Sequence, residues 1–265
     1  MGRVELSVAD LGRSLEYWQG VIGLHVLERD GGIASLGADT ELVRLVEEPG
    51  AQSARGHAGL YHVALLVPTR RDLARWLAHA AQSQAPLEGL SDHAVSEAIY
   101  LRDPDQHGIE IYADRPREQW DGRVMELMTT IPLDVNSLFE ELDAPHLELP
   151  TGTVVGHTHL CVADVDSTVR FYRDVLGFEL MAQLGPMAAF LSRNGYHHHV
   201  GANTWESRGA PQAPAGTARL LSAGIVLDDE ADLARVADRA GAEVVDGSVE
   251  LTDPSGNRLV LATGD

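Results

Sequence analysis

Val4 to Leu24 reads VELSVADLGRSLEYWQGVIGL, and Thr158 to Phe178 reads THLCVADVDSTVRFYRDVLGF. Val8-Ala9-Asp10 returns as Val162-Ala163-Asp164, an offset of 154 residues. In both stretches an amphipathic helix follows, then hydrophobic-Gly-hydrophobic. A second pair lies further along. LYHVALLVPTRRDLARWLAHA from Leu60 resembles LSAGIVLDDEADLARVADRA from Leu221, with Asp-Leu-Ala-Arg shared at an offset of 160. Each member of this pair runs on into a hairpin, LRDPDQHGIEIY or LTDPSGNRLVLA. The chain is therefore a fourfold repeat, and a repeat sets the architecture before any single motif does.

Residues 3 to 8, 62 to 67 and 157 to 162 alternate apolar and more polar side chains, which predicts strands with one face on helices and one on a cavity. Leu15, Trp18, Val21 and Ile22, and likewise Val169, Tyr172, Val175 and Leu176, have helical spacing. Trp18, Phe171 and Tyr172 read as core. Gly23 and Gly177 stand where a helix end favours a left-handed residue. Asp103-Pro104 and Asp253-Pro254 mark hairpin turns. Each module reads strand, helix, then about three strands. The fold class is α+β, four βαβββ modules, with an N-terminal domain over 1–115 (modules one and two) and a C-terminal domain over 152–265 (modules three and four). Residues 116–151 form a linker with a short helix from Val135 to Leu142.

The 265 residues carry 20 basic and 40 acidic side chains, a formal charge of −20. Such a surface repels nucleic-acid phosphates and anionic membranes, so neither is expected as a partner. The apolar runs are far shorter than the ~20 residues of a membrane span. The start MGRVELSVAD has no apolar signal core, and Leu6 spoils a myristoylation motif. The one cysteine, Cys161, excludes an intramolecular disulfide and fits a reducing cytoplasmic setting. It reads as a small buried hydrophobe. No GxGxxG, Walker loop, GxSxG or CxxC pair is present, which removes nucleotide-binding, hydrolase and zinc-ribbon readings.

Twelve histidines are the unusual figure. The cavity-facing positions of the first strands are Arg3, Glu5 and Ser7 in module one, and His62, Ala64 and Leu66 in module two. They are His157, His159 and Cys161 in module three, and Ser222 matches His62 in module four. On the closing hairpin strand, Glu110 of module two is matched by Val260 of module four. Metal-ligating side chains thus fall in modules two and three. Arginine is a permanent cation and valine has no donor, so modules one and four are expected to form a metal-free pair. Glu5 is expected in a salt bridge with Arg3.

The segments GLYHVALLVP, SDHAVSEAIYLRDPDQHGIEIYADRP, VGHTHLCVADVDSTVRFYRDVLGF and GYHHHVGANTW resemble the vicinal oxygen chelate superfamily, and within it the two-domain extradiol dioxygenases of the catechol 2,3-dioxygenase type. The resemblance covers nearly the whole chain. It implies two glyoxalase/dioxygenase-like domains with cup-shaped mixed sheets. It also implies extradiol cleavage of an aromatic diol by O2, with His157, His62 and Glu110 as a two-histidine, one-carboxylate triad. Such a face suits Fe(II) or Mn(II) and leaves positions open. His198, Tyr100 and His93 are implied as catalytic, with His198 the acid/base group. Well-known extradiol enzymes take the triad from modules three and four. Here it comes from two and three, the nested pairing of some monomeric glyoxalases. The three donor atoms are then expected within ~4 Å of one another, from metal–ligand lengths of ~2.0 to 2.2 Å. As a strand, His197-His198-His199 would set His198 on the face opposite its two neighbours. Two other superfamily functions compete. A glyoxalase-like isomerase or lyase needs a fourth ligand, expected near Val200, which is apolar. A metal-free drug-binding protein needs an aromatic cleft and would bury Glu110 to no purpose. A homo-oligomer fits each reading.

Overall fold

The protein is described by a computed structural model over residues 1–264. Two main sheets carry the four modules, and each draws strands from both halves of the chain. The nine-stranded sheet runs Ile131–Pro132, Leu87–Asp92, Ser96–Arg102, Gly108–Asp114, Gly59–Leu66, Val154–Cys161, Val200–Asn203, Ala188–Ser192, Glu179–Leu184. The seven-stranded sheet runs Ser248–Thr252, Arg258–Thr263, Leu220–Leu227, Val4–Val8, Glu41–Glu47, Ile33–Gly37, His25–Asp30. Modules two and three share the first, modules one and four the second. At the centre of the larger sheet Gly59–Leu66 pairs antiparallel with Val154–Cys161, setting Ala64 opposite His157 and His62 opposite His159.

The module helices are Leu11–Tyr17, Arg70–Gln82, Val165–Asp174 and Glu230–Ala240. Asp10, Thr69, Asp164 and Asp229 cap them, each accepting a hydrogen bond from the backbone N–H three residues on. Such caps satisfy donors that the first turn leaves orphaned. Their apolar faces bury Leu15, Trp18, Trp76, Leu77, Val169, Tyr172, Leu233 and Val236 against the sheets. Gly23 ends the first helical segment with φ 91°, where a Cβ would stand 2.1 Å from the Leu147 carbonyl oxygen. The Asp-Pro turns are held from within. Asp103 accepts from the N–H groups of Asp105 (2.9 Å) and His107 (2.8 Å), and Asp253 from those of Ser255 (2.8 Å) and Asn257 (2.9 Å).

Two expectations need correction. The linker helix covers only Val135–Phe139, because the chain then turns toward Arg70–Gln82, where Arg70 bonds Glu141 (3.1 Å) and Arg75 bonds Asp143 (2.7 Å). The linker also adds to the larger sheet, where Ile131–Pro132 forms an edge strand beside Asp92 and Ser91. Glu5 does not pair with Arg3. Adjacent strands lie closer than positions i and i+2 of one strand, so Glu5 accepts from Ser222 across the junction (3.3 Å) while Arg3 reaches Glu41 (2.8 Å).

Candidate metal centre and its cavity

His62 and His157 project from the two paired central strands, and Glu110 comes from Gly108–Asp114, which runs parallel to Gly59–Leu66 with Glu110 beside Ala64. Their donor atoms meet at one point. Nε2 of His62 is 2.9 Å from Oε2 of Glu110, Nε2 of His157 is 3.2 Å from the same oxygen, and the two Nε2 atoms are 3.3 Å apart. All three side chains are buried. Burial alone would raise the Glu110 carboxyl, but His157 and His62 hold it well below the usual carboxylate range. Burial lowers His157 from 6.5 to about 4 against the pull of Glu110, so its imidazole is neutral near pH 7. An ionised carboxylate and a neutral imidazole are the ligand forms, and a divalent cation fits this donor set. The triad could hold a metal.

Two hydrogen-bonded groups flank the donors. On the His62 side, Tyr100 is the cross-strand neighbour of Glu110. Its hydroxyl is 2.7 Å from Nε2 of His93, whose Nδ1 is 2.8 Å from the Thr129 carbonyl oxygen. Nδ1–H therefore donates to that carbonyl, and Nε2 accepts from the phenol. Burial and the Glu110 charge push Tyr100 well above an ordinary phenol, which keeps its proton in place.

On the His157 side, the His198 ring lies 4.0 Å from the His157 ring, centroid to centroid. His197 and His198 do not face opposite ways. Asn194 (φ 57°) and Gly195 (φ 67°) turn the chain, residues 197–199 lie outside any strand, and both imidazoles are buried with Nδ1 atoms 2.8 Å apart. His197 Nε2 is 2.8 Å from Asp114 Oδ1, which also accepts from Tyr196 at 3.1 Å. The carboxylate thus fixes the proton on His197 Nε2. With its proton on Nε2, His197 accepts at Nδ1 from His198 Nδ1–H, leaving the lone pair of His198 on Nε2, on a ring that lines the cavity. Burial, then His157 and His197, lower His198 well below the usual value, so it rests neutral.

The fourth-ligand position is Gly201 rather than Val200. Glu110 stands beside Ala64, two residues after His62. The corresponding neighbour of His159, two after His157, is Gly201, whereas Val200 pairs with Thr158. Sequence offset alone misses this by one residue, which on a strand is the other face. A Cβ on Gly201 would lie 2.8 to 3.0 Å from the His159 ring. His159 fills the space, and a side-chain ligand cannot enter there. Gly201→Ala should therefore lower stability by roughly 1 to 3 kcal/mol through overpacking, with His159 displaced. A thermal scan checks it, and an unchanged melting temperature would mean the wall yields freely.

The neutral imidazoles carry a pH signature in the metal-free protein. His157 is held at about 4 and His199 at about 3, both mainly by burial. A histidine lowered in the folded state binds its proton first in the unfolded chain. The stabilisation is present above pH 6.5 and is lost as pH falls toward 4, at roughly 1.4 kcal/mol per pH unit for each group. The chelated protein should melt at clearly lower temperature at pH 5.5 than at pH 7.5. A flat profile across that window would contradict neutral, buried imidazoles.

His197, Asp114, His159 and Gly201 are not singled out as site residues by sequence, nor are Met128, Thr129 and Thr130 of the linker, which line the cavity. Cys161 is buried, with its thiol raised to about 11 by burial, as a packed hydrophobe should be. Among the described residues no helix is long and apolar enough to cross a membrane.

Comparisons with known proteins show the family and the fold. The chain matches the Glyoxalase/Bleomycin resistance protein/Dioxygenase superfamily over residues 1–111 and 154–261. It is 39% identical to a catechol-2,3-dioxygenase of Bacillus subtilis (strain 168) over 96% of this chain and 93% of that protein. Solved structures with the same fold include a putative dioxygenase from Bacillus subtilis (TM-score 0.67, 15% identity, 99% of this chain and 85% of that one). Glyoxalase I from Zea mays is another (TM-score 0.61, 17% identity, 99% and 92%).

Proposed function

The chain belongs to the Glyoxalase/Bleomycin resistance protein/Dioxygenase superfamily, and from that premise we propose that it is an extradiol dioxygenase cleaving a catechol-type diol with O2. The observation that carries this reading is the meeting of His62, Glu110 and His157, three donors with a fourth position closed by Gly201 and His159, in a cavity of about 590 Å³. A site with three protein donors and room beside them suits an open metal centre better than a four-ligand isomerase. In this reading the triad holds Fe(II) or Mn(II). When bound, the metal supplies the open positions for diol and O2 and the electronic link between them.

The chain's own residues manage the protons. Nε2 of His198 accepts a proton from a diol hydroxyl as the substrate binds and returns one later to an oxygen of the opening ring. Asp114 and His197 hold that imidazole in the tautomer with Nε2 free. Tyr100, whose O–H donates to His93, offers its hydroxyl oxygen as a hydrogen-bond acceptor on the other side of the triad. Tyr61, Phe190 and Trp205 limit water around the ring. The small aromatic diol and O2 are the expected partners, in the cytoplasm. Metal analysis of anaerobically purified protein, with reconstitution by Fe(II) and by Mn(II), tests this. One metal per chain and catechol-dependent oxygen uptake are expected, and failure of both metals to support uptake would overturn the reading.

A further inference from the structure

The triad lines a cavity larger than a diol requires. At about 590 Å³ the cavity lies in the ~300 to 1,000 Å³ range of drug-sized ligands, whereas catechol is one ring with two hydroxyls. The remaining space has a distinct chemistry. Tyr61, His159 and Trp205 contact one another, with centroids 5.1 to 5.6 Å apart, Tyr61 edge-on to the other two and His159 tilted against Trp205. Phe190 extends it, 5.8 Å from His159 and 5.1 Å from His198. Leu184 and Trp205 continue it to the mouth, where they are 51% and 47% exposed. Large apolar side chains left half in water at a cavity rim mark a binding surface.

Charge points the same way. The chain contains no lysine, and the one arginine among the described lining residues is Arg102. Its Nε lies 2.9 and 3.0 Å from the two Glu88 oxygens, and its Nη1 donates to the Gln106 carbonyl (3.0 Å). The charge of that guanidinium is paired with the Glu88 carboxylate. Away from the triad a substrate carboxylate would meet no unpaired cation, in a protein of charge −20.

Resting on the dioxygenase reading for the diol end, we infer that the substrate is a catechol bearing a bulky, uncharged, apolar substituent, seated on Tyr61, Phe190, Leu184 and Trp205, and that carboxylated catechols are rejected. Calorimetric titration of Fe(II)-loaded protein under anaerobic conditions reads this without turnover. We expect 4-tert-butylcatechol to bind about tenfold or more tighter than catechol, at ~0.8 kcal/mol per buried carbon and ~1.4 kcal/mol per factor of ten. 3,4-Dihydroxybenzoate should bind at least about tenfold more weakly than catechol. In Trp205→Ala the tert-butyl advantage should fall below about threefold. Leu184→Arg, at an exposed position, should improve 3,4-dihydroxybenzoate relative to catechol about tenfold. The inference is overturned if the carboxylated ligand binds as tightly as catechol, or if the tert-butyl group adds nothing. Oxygen uptake separates the two levels. The expected binding order without uptake on any catechol would retain the inference and sink the dioxygenase reading. Uptake on catechol with a flat or reversed order would do the opposite.

Discussion

Replacing His157 by alanine should leave the protein without bound metal and lower catechol-dependent oxygen uptake at least about a thousandfold. The imidazole supplies one of three donors lying within 3.3 Å of one another, and the matching positions of the other modules offer no substitute. Gly201 has no side chain, and Val260 and Ser222 belong to the other sheet. The loss also leaves Glu110, a wholly buried carboxylate, with a single imidazole partner, so the metal-free variant should be less stable than metal-free wild type. Glu110→Gln keeps the shape and removes the charge, and should lose the metal equally. Metal content after dialysis, measured beside oxygen uptake, separates a ligand from a residue that merely supports the fold. A His157→Ala protein that retains one metal per chain would remove His157 from the site.

The second large effect concerns protons rather than metal. His198→Gln should keep near-normal metal content while kcat falls about 10² to 10⁴-fold, the usual contribution of a general acid–base group. Asp114→Asn should be milder, about 10- to 100-fold, because it disturbs the tautomer of His197 and only through it that of His198. Tyr100→Phe should also be milder, since it removes one hydroxyl beside the triad while the acid/base imidazole stays. Steady-state kinetics of the three metal-loaded variants, measured together, checks the order. Equal kcat for His198→Gln and wild type would exclude that imidazole from the proton transfers.

Much of this is legible in the sequence because the repeat is legible. The repeated Val-Ala-Asp and Asp-Leu-Ala-Arg, alternating strands and two Asp-Pro turns fix the module, and the module fixes which residues share a face. The distribution of ligand side chains then points to the nested arrangement, since Arg3, Ser222 and Val260 cannot hold a cation. What stays hidden depends on geometry between distant segments. The contact of His197 with Asp114 spans 83 residues, and no local pattern announces it. The His197-His198 pair escapes strand alternation because two left-handed residues turn the chain just before it. Gly201 is visible only through register, where an error of one residue selects the wrong face. The linker looks unpatterned, yet it supplies an edge strand and three residues of the cavity wall.

Oxygen uptake by Fe(II)-reconstituted wild-type protein with catechol, read together with the product spectrum, tests the central claim most directly. Ring opening beside the diol consumes one O2 per catechol, and both of its oxygen atoms enter the product. The ring carbon–carbon bond next to one hydroxyl-bearing carbon breaks, which gives a yellow hydroxy-semialdehyde, the result expected here. No oxygen uptake, or a colourless dicarboxylic acid from cleavage between the two hydroxyl-bearing carbons, would contradict it.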